Sequence, residues 1–177
     1  MRTLFLSLIV SIPILFSQCG QKEDPHELYS QADSMLGLTM HLQSRIGSPG
    51  IKRLHDFEDE IILDLAVLSL LPEEDTTLAK YLELHNGLGQ CMQACSQFHE
   101  ETFFLESSLR DIMKEVELEG SDLQSLEDQL KFELENYMDL SERIDSSIAL
   151  AMRQAEIFYS LKPEIEKIKK QIEPIPE

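Results

Sequence analysis

The chain has 177 residues, of which 42% are apolar and 27% charged, a balance that suits a globular or coiled-coil protein with a real core and not a disordered chain. Its formal net charge of −18 repels phosphate backbones and anionic lipid surfaces, which argues against nucleic acid and against electrostatic docking to membranes. No Trp, seven Gly and 7% aromatics, set against abundant Leu, Glu, Gln and Ser, favour helices over strands.

The first segment reads as an address. Met1-Arg2 supplies a positive start, and residues 4–16 are almost wholly apolar. That run is shorter than the roughly 20 residues a spanning helix needs, it contains Pro13, and it fits the apolar part of a signal peptide. Directly after it comes Phe16-Ser17-Gln18-Cys19-Gly20, followed by the polar Gln21-Lys22-Glu23-Asp24. A cysteine at such a boundary resembles the lipobox of bacterial lipoproteins, in the looser form found in spirochaetes, with Phe16 where Leu is usual and Gln18 where a small residue is usual. The resemblance covers only about the first twenty residues. It implies removal of residues 1–18, diacylglycerol on the Cys19 thiol, and acyl chains such as palmitate holding the mature N-terminus to a membrane at about 0.8 kcal/mol per buried methylene. The expected organisation is a signal peptide over 1–18, a lipidated tether over 19–24, one helical domain over 25–172 and a tail over 173–177.

A first helix is announced by Asp24-Pro25-His26-Glu27: a capping carboxylate, a proline suited to the first helical position, and Glu27 at the capping-box position. Its inward residues recur at Leu28, Ala32, Met35, Thr39, Leu42 and Ile46, and Gly47-Ser48-Pro49-Gly50 is a strong turn signal. A second helix is expected over 51–71, with Leu54, Ile61, Leu65 and Leu68 inward and Pro72 ending it. The third has the clearest pattern: Leu84, Leu88, Cys91, Cys95, Phe98, Thr102, Leu105, Leu109, Ile112 and Val116 alternate four and three apart without a slip. Such a 3.5 period indicates helices packed at a small angle. Asn86-Gly87 and Gly89 are candidate breaks, and Gly120 closes the segment. The fourth helix is expected from Ser121, with Gln124 at the capping-box position and a stripe through Leu123, Leu126, Leu130, Tyr137, Leu140, Ile144, Ile148, Ala151, Ala155 and Phe158. Lys162-Pro163 should interrupt it, leaving a short amphipathic piece with Ile165, Ile168 and Ile172. Short connections make neighbouring helices antiparallel. The expected fold is therefore all-α, an up-down-up-down four-helix bundle whose coiled-coil-like second hairpin, up to about 60 Å long, projects beyond a first hairpin of half that length.

Cys91, Cys95 and His99 form the one chemical constellation. Spacing of four places thiols and imidazole on one side of a helix, a ligand set suited to zinc or copper. Cys-x-x-x-Cys on bundle helices resembles copper-storing four-helix proteins, which repeat the motif where this chain has it once. Both cysteines also occupy inward positions of the stripe, where cysteine serves as a small hydrophobe. An i, i+4 disulfide is the third possibility, with Cα atoms about 6 Å apart. The acidic group His55, Asp56, Glu58, Asp59, Glu60 and Asp64 lacks the glycine and alternation of a calcium loop, so most of it reads as a solvated helix face. A di-iron bundle needs Glu-x-x-His on two helices, and only Glu23 to His26 has that spacing. No haem, zinc-protease, serine-hydrolase or phosphate-loop motif occurs.

Charge is uneven. Between residues 54 and 142 the basic residues are Lys80, Arg110, Lys114 and Lys131 alone, whereas Lys162, Lys167, Lys169 and Lys170 crowd the end. The reading that follows has no catalytic, cofactor or metal residue, and no enzyme activity. It is a lipoprotein anchored through Cys19 in the bacterial cell envelope, on the periplasmic or surface face of the outer membrane, acting as an interaction or structural protein toward an unidentified protein partner. The alternative is a metal or small-ligand binder built on Cys91, Cys95 and His99.

Overall fold

The computed structural model describes residues 24–72 and 75–172. Every element among them is helical: α1 (Pro25–Ile46), α2 (Pro49–Leu68), α3 (Thr76–Val116) and α4 (Leu123–Ile172). The expected signal peptide, Cys19 and the tail over 173–177 fall outside the described residues.

The first cap is as expected: the Asp24 carboxylate accepts from the His26 N–H at 2.9 Å, ahead of Pro25. Elsewhere the caps differ from expectation. Helix α3 begins at Thr76, well before Leu84, because Asp75 accepts from the N–H groups of Thr77 (2.8 Å) and Leu78 (3.2 Å) and stabilises that end. Helix α4 is capped by Asp122, which accepts from Ser125 at 3.3 Å. The Ser121 hydroxyl instead donates back to the carbonyls of Glu115 and Leu118, closing α3, with Gly120 at φ +84° making the turn.

Neither suspected break in the long helices occurs. Helix α3 runs through Gly87 and Gly89, and Gly87 marks a close approach: a Cβ there would lie 2.5 Å from the Gln154 side chain of α4. Pro163 sits inside α4. It lies on the solvent face while Leu161 and Ile165 on either side are buried. The carbonyl it leaves unpaired can therefore turn to water, and the buried seam carries the helix past it.

The four-helix up-down-up-down arrangement is not what forms. Helices α1 and α2 make almost no contact with each other, and each packs on its own stretch of α3 and α4. They follow end to end as one broken rod, antiparallel to α3 and parallel to α4. Arg45 pairs with Asp145, 100 residues on, and nearly the same offset recurs beyond the break, where Phe57 stacks on Phe158 at 4.9 Å and Glu60 meets Lys162 at 2.5 Å. The reason lies in the connection. Gly47, at φ −78° and ψ 8°, stays close to helical geometry and donates to the Gln43 carbonyl, so only Ser48 is extended (φ −62°, ψ 151°). One extended residue advances about 3.3 Å, whereas antiparallel helix axes must stand about 8–10 Å apart. The link therefore carries the chain onward along α3 and α4.

What the break does is reset phase. Continuing the four-three alternation from Ile46 lands on Arg53, which is exposed, whereas the buried residue is Leu54. Ser48 absorbs that extra residue, and the stripe resumes at Leu54, Ile61 and Leu68. The first rod consequently runs alongside the whole of α3, and no second hairpin projects beyond a shorter first one. Two core clusters result. One joins α1 to residues 98–116 of α3 and 126–144 of α4, and the other joins α2 to residues 81–91 and 151–165.

Candidate functional site

Cys91 is buried in the α2-side core, Cys95 is half-buried against the α1-side core, and both are free thiols. They straddle the junction between the two clusters. Burial pushes both thiols above their ordinary value, Cys91 with a smaller contribution from Cys95, so neither is primed as a thiolate nucleophile. His99 is exposed, and the three side chains do not converge. Among the described residues, no group of three or more His, Cys, Asp or Glu is placed to hold a metal ion.

The polar centre that sequence reasoning missed is Asp64. It belongs in sequence to the acidic group of the second helix, yet it is 1% exposed, while His55, Asp56 and Asp59 face solvent. The Tyr81 hydroxyl donates to its Oδ2 at 2.5 Å, and the Lys169 ammonium, itself 3.1 Å from Glu166, pairs with its Oδ1. The available signal was register: residue 64 lies three after Ile61 and four before Leu68, squarely in the seam. Burial and the bond to Asp64 raise the Tyr81 hydroxyl far above its ordinary value, and the bond to Asp64 raises the Lys169 ammonium. Nearby, Thr77 donates to Glu164 at 3.0 Å. This network ties α2, α3 and α4 together from inside. Its centre, Asp64 with Tyr81, is buried, and the network acts as a clasp between the three helices.

An accessible feature of the described residues is an open groove between α3 and α4. Phe98 and Leu105 of α3 and Leu140 of α4 form its buried floor, and Glu101, Glu133, Asp139 and Glu142 its polar walls. Arg143 donates to both oxygens of Glu101 at 2.6 Å, bonds Asp139 at 3.2 Å and lies 5.3 Å from the Phe98 ring centroid. The Glu101 bond foremost raises its already high affinity for the proton. Ser108 reaches across to Glu133. Phe104 lines this groove, and of the six described phenylalanines Phe103, Phe104 and Phe132 are 64%, 70% and 60% exposed. Comparison of the chain with protein-family models, with curated proteins and with solved structures found no match. No helix among the described residues is long and apolar enough to cross a membrane.

Proposed function

We propose that the chain is a non-catalytic lipoprotein of the bacterial cell envelope, anchored through acyl chains on Cys19, that presents a stiff helical rod to another protein. The observation that carries the interaction half is the set of exposed phenylalanines on the long helices, Phe103 and Phe104 on α3 and Phe132 in the first turns of α4. A monomer gains nothing from leaving such rings in water, and exposed apolar patches mark association surfaces. The anchor half is supported by Phe16-Ser17-Gln18-Cys19 at the end of the apolar run.

The two halves fit mechanically. With Cys19 lipidated, residues 20–24 reach no more than about 18 Å before α1 starts. The start of α1 lies at the same end of the bundle as the turn between α3 and α4, since α1 is parallel to α4. That membrane-proximal turn carries Glu115, Glu117, Glu119 and Asp122, whose charge keeps the rod standing off an anionic bilayer. The lysines of residues 162–170 lie at the far end. At 1.5 Å per residue the rod extends about 60–75 Å outward.

The metal or small-ligand alternative at Cys91, Cys95 and His99 has no comparable observation behind it, the imidazole being exposed and Cys91 sealed in the core. Two measurements test the proposal. Cys19→Ala should leave an unprocessed or soluble form that no longer partitions into detergent, and persistence of a mature-sized, detergent-partitioning form refutes the anchor. Crosslinking in intact cells from positions spread over the whole rod should trap a protein partner, and a rod silent at every position refutes the interaction.

A further inference from the structure

The groove between α3 and α4 specifies a partner more narrowly, and we infer that it docks a basic amphipathic helix from another protein, laid along the groove as a fourth rod. This deepens the interaction reading just given and rests on it.

Shape comes first. The floor is apolar, through Phe98, Leu105 and Leu140, and no α1 residue lines it. Helix α1 packs mainly on α3, so on this side α3 and α4 alone close over the floor, and the wall above it, with Phe104, stays open to solvent. A helix of about 10 Å diameter seats on such a seam by the same ridge-and-groove packing that joins α3 to α4. Phe104, in the groove wall and 70% exposed, supplies an aromatic anchor of the kind that dominates binding energy.

Charge then selects the occupant. The walls hold four carboxylates (Glu101, Glu133, Asp139 and Glu142) against one guanidinium, Arg143, which is already engaged by Glu101 and Asp139. A helix flanked by lysines or arginines is steered to these walls and paired there. A second copy of this chain would bring its own excess of acid to the same place. Within its lysine-rich segment, Lys162 and Lys169 are already engaged in its own bundle, by Glu60 and Asp64.

The test uses the full chain in detergent and two fluorescent peptides of roughly five helical turns, each with one leucine face and with either lysine or glutamate elsewhere. The lysine peptide should bind, and the glutamate isomer should not. Phe104→Ser should weaken the lysine peptide about tenfold or more, as should Glu133→Lys combined with Asp139→Lys, while Leu118→Ser, another exposed apolar position, leaves binding unchanged. Circular dichroism checks that each variant stays folded. Equal binding of both peptides, or equal binding of the lysine peptide to wild type and Phe104→Ser, overturns the inference. So does concentration-dependent dimerisation abolished by Phe104→Ser, which would make a second copy the occupant. None of these failures removes the interaction reading itself, which falls only if crosslinking is silent along the whole rod.

Discussion

Asp64 is the position where a single change should reveal most about this bundle. Its carboxylate is 1% exposed and holds one hydroxyl, at 2.5 Å from Tyr81, and one ammonium, from Lys169. Lys169→Met removes the countercharge and leaves the carboxylate in the core with Tyr81 alone. Breaking a fully buried pair this way costs about 3–5 kcal/mol. The Lys169 side chain keeps 25% exposure, so water already screens part of the interaction, and about 2–3 kcal/mol is the better figure. For a protein of this size that lowers Tm by about 4–12 °C. Replacing both charges, Asp64→Leu with Lys169→Met, removes the desolvated charge but leaves the buried Tyr81 hydroxyl without its acceptor, so the double should still cost about 1–3 kcal/mol, most of it recovered by adding Tyr81→Phe. Urea unfolding of wild type, both single variants and the double, followed by circular dichroism at constant m, gives the coupling energy directly. If Lys169→Met costs less than about 0.5 kcal/mol and the cycle is additive, the pair does not hold α2 to α4 and the clasp reading is wrong.

Four further outcomes follow from the same structure. Gly89→Ala, with open space around the added Cβ, should stabilise by about 0.5–1 kcal/mol in urea, and Gly87→Ala by less because Gln154 must move; the reverse order would contradict the close approach of α4. Pro163→Ala restores a donor on the solvent face of α4 and should add about 1–3 kcal/mol, whereas a neutral result means the helix does not continue past it. Cys91 and Cys95 should react with Ellman's reagent at pH 8 far more slowly in the folded protein than in urea, because burial raises both thiols. Stability should hold up to about pH 10, near the ordinary tyrosine and lysine values, and fall above it. Folding raises both Tyr81 and Lys169, so their contribution is complete below the unfolded values and lost as rising pH deprotonates them in the folded state. Lys169→Arg, which stays charged, should flatten part of that fall, and a urea midpoint unchanged between pH 8 and 11 would refute the assignment.

Much of the fold is local physics and was legible in the residues. The stripes Leu28 to Ile46 and Leu84 to Val116 are buried at every position named in advance except Cys95, which is half-buried. A period of 3.5 sustained that long leaves a helix only one face to hide. Asp24 and Gly120 likewise did what their chemistry prescribes. The caps at Asp75 and Asp122 have the same chemistry as Asp24, but each sits in a short polar run that the apolar stripe does not mark.

The rest belonged to tertiary structure. Pro163 and Gly87 are local breakers, yet burial of Leu161, Ile165, Leu84 and Leu88 around them outweighs a propensity penalty of about 1–3 kcal/mol. The turn signal at Gly47-Ser48-Pro49-Gly50 marked a real break but not its direction, which depended on Gly47 keeping near-helical angles and Ser48 alone extending. Asp64 looked like one more surface acid until Tyr81 and Lys169, 17 and 105 positions away, were brought to it. The groove, too, exists only because α1 and α2 lie end to end and leave one side of α3 and α4 bare. A sequence determines which face of each helix must be buried; which partner buries it, and which face is left over, is settled only when the helices meet.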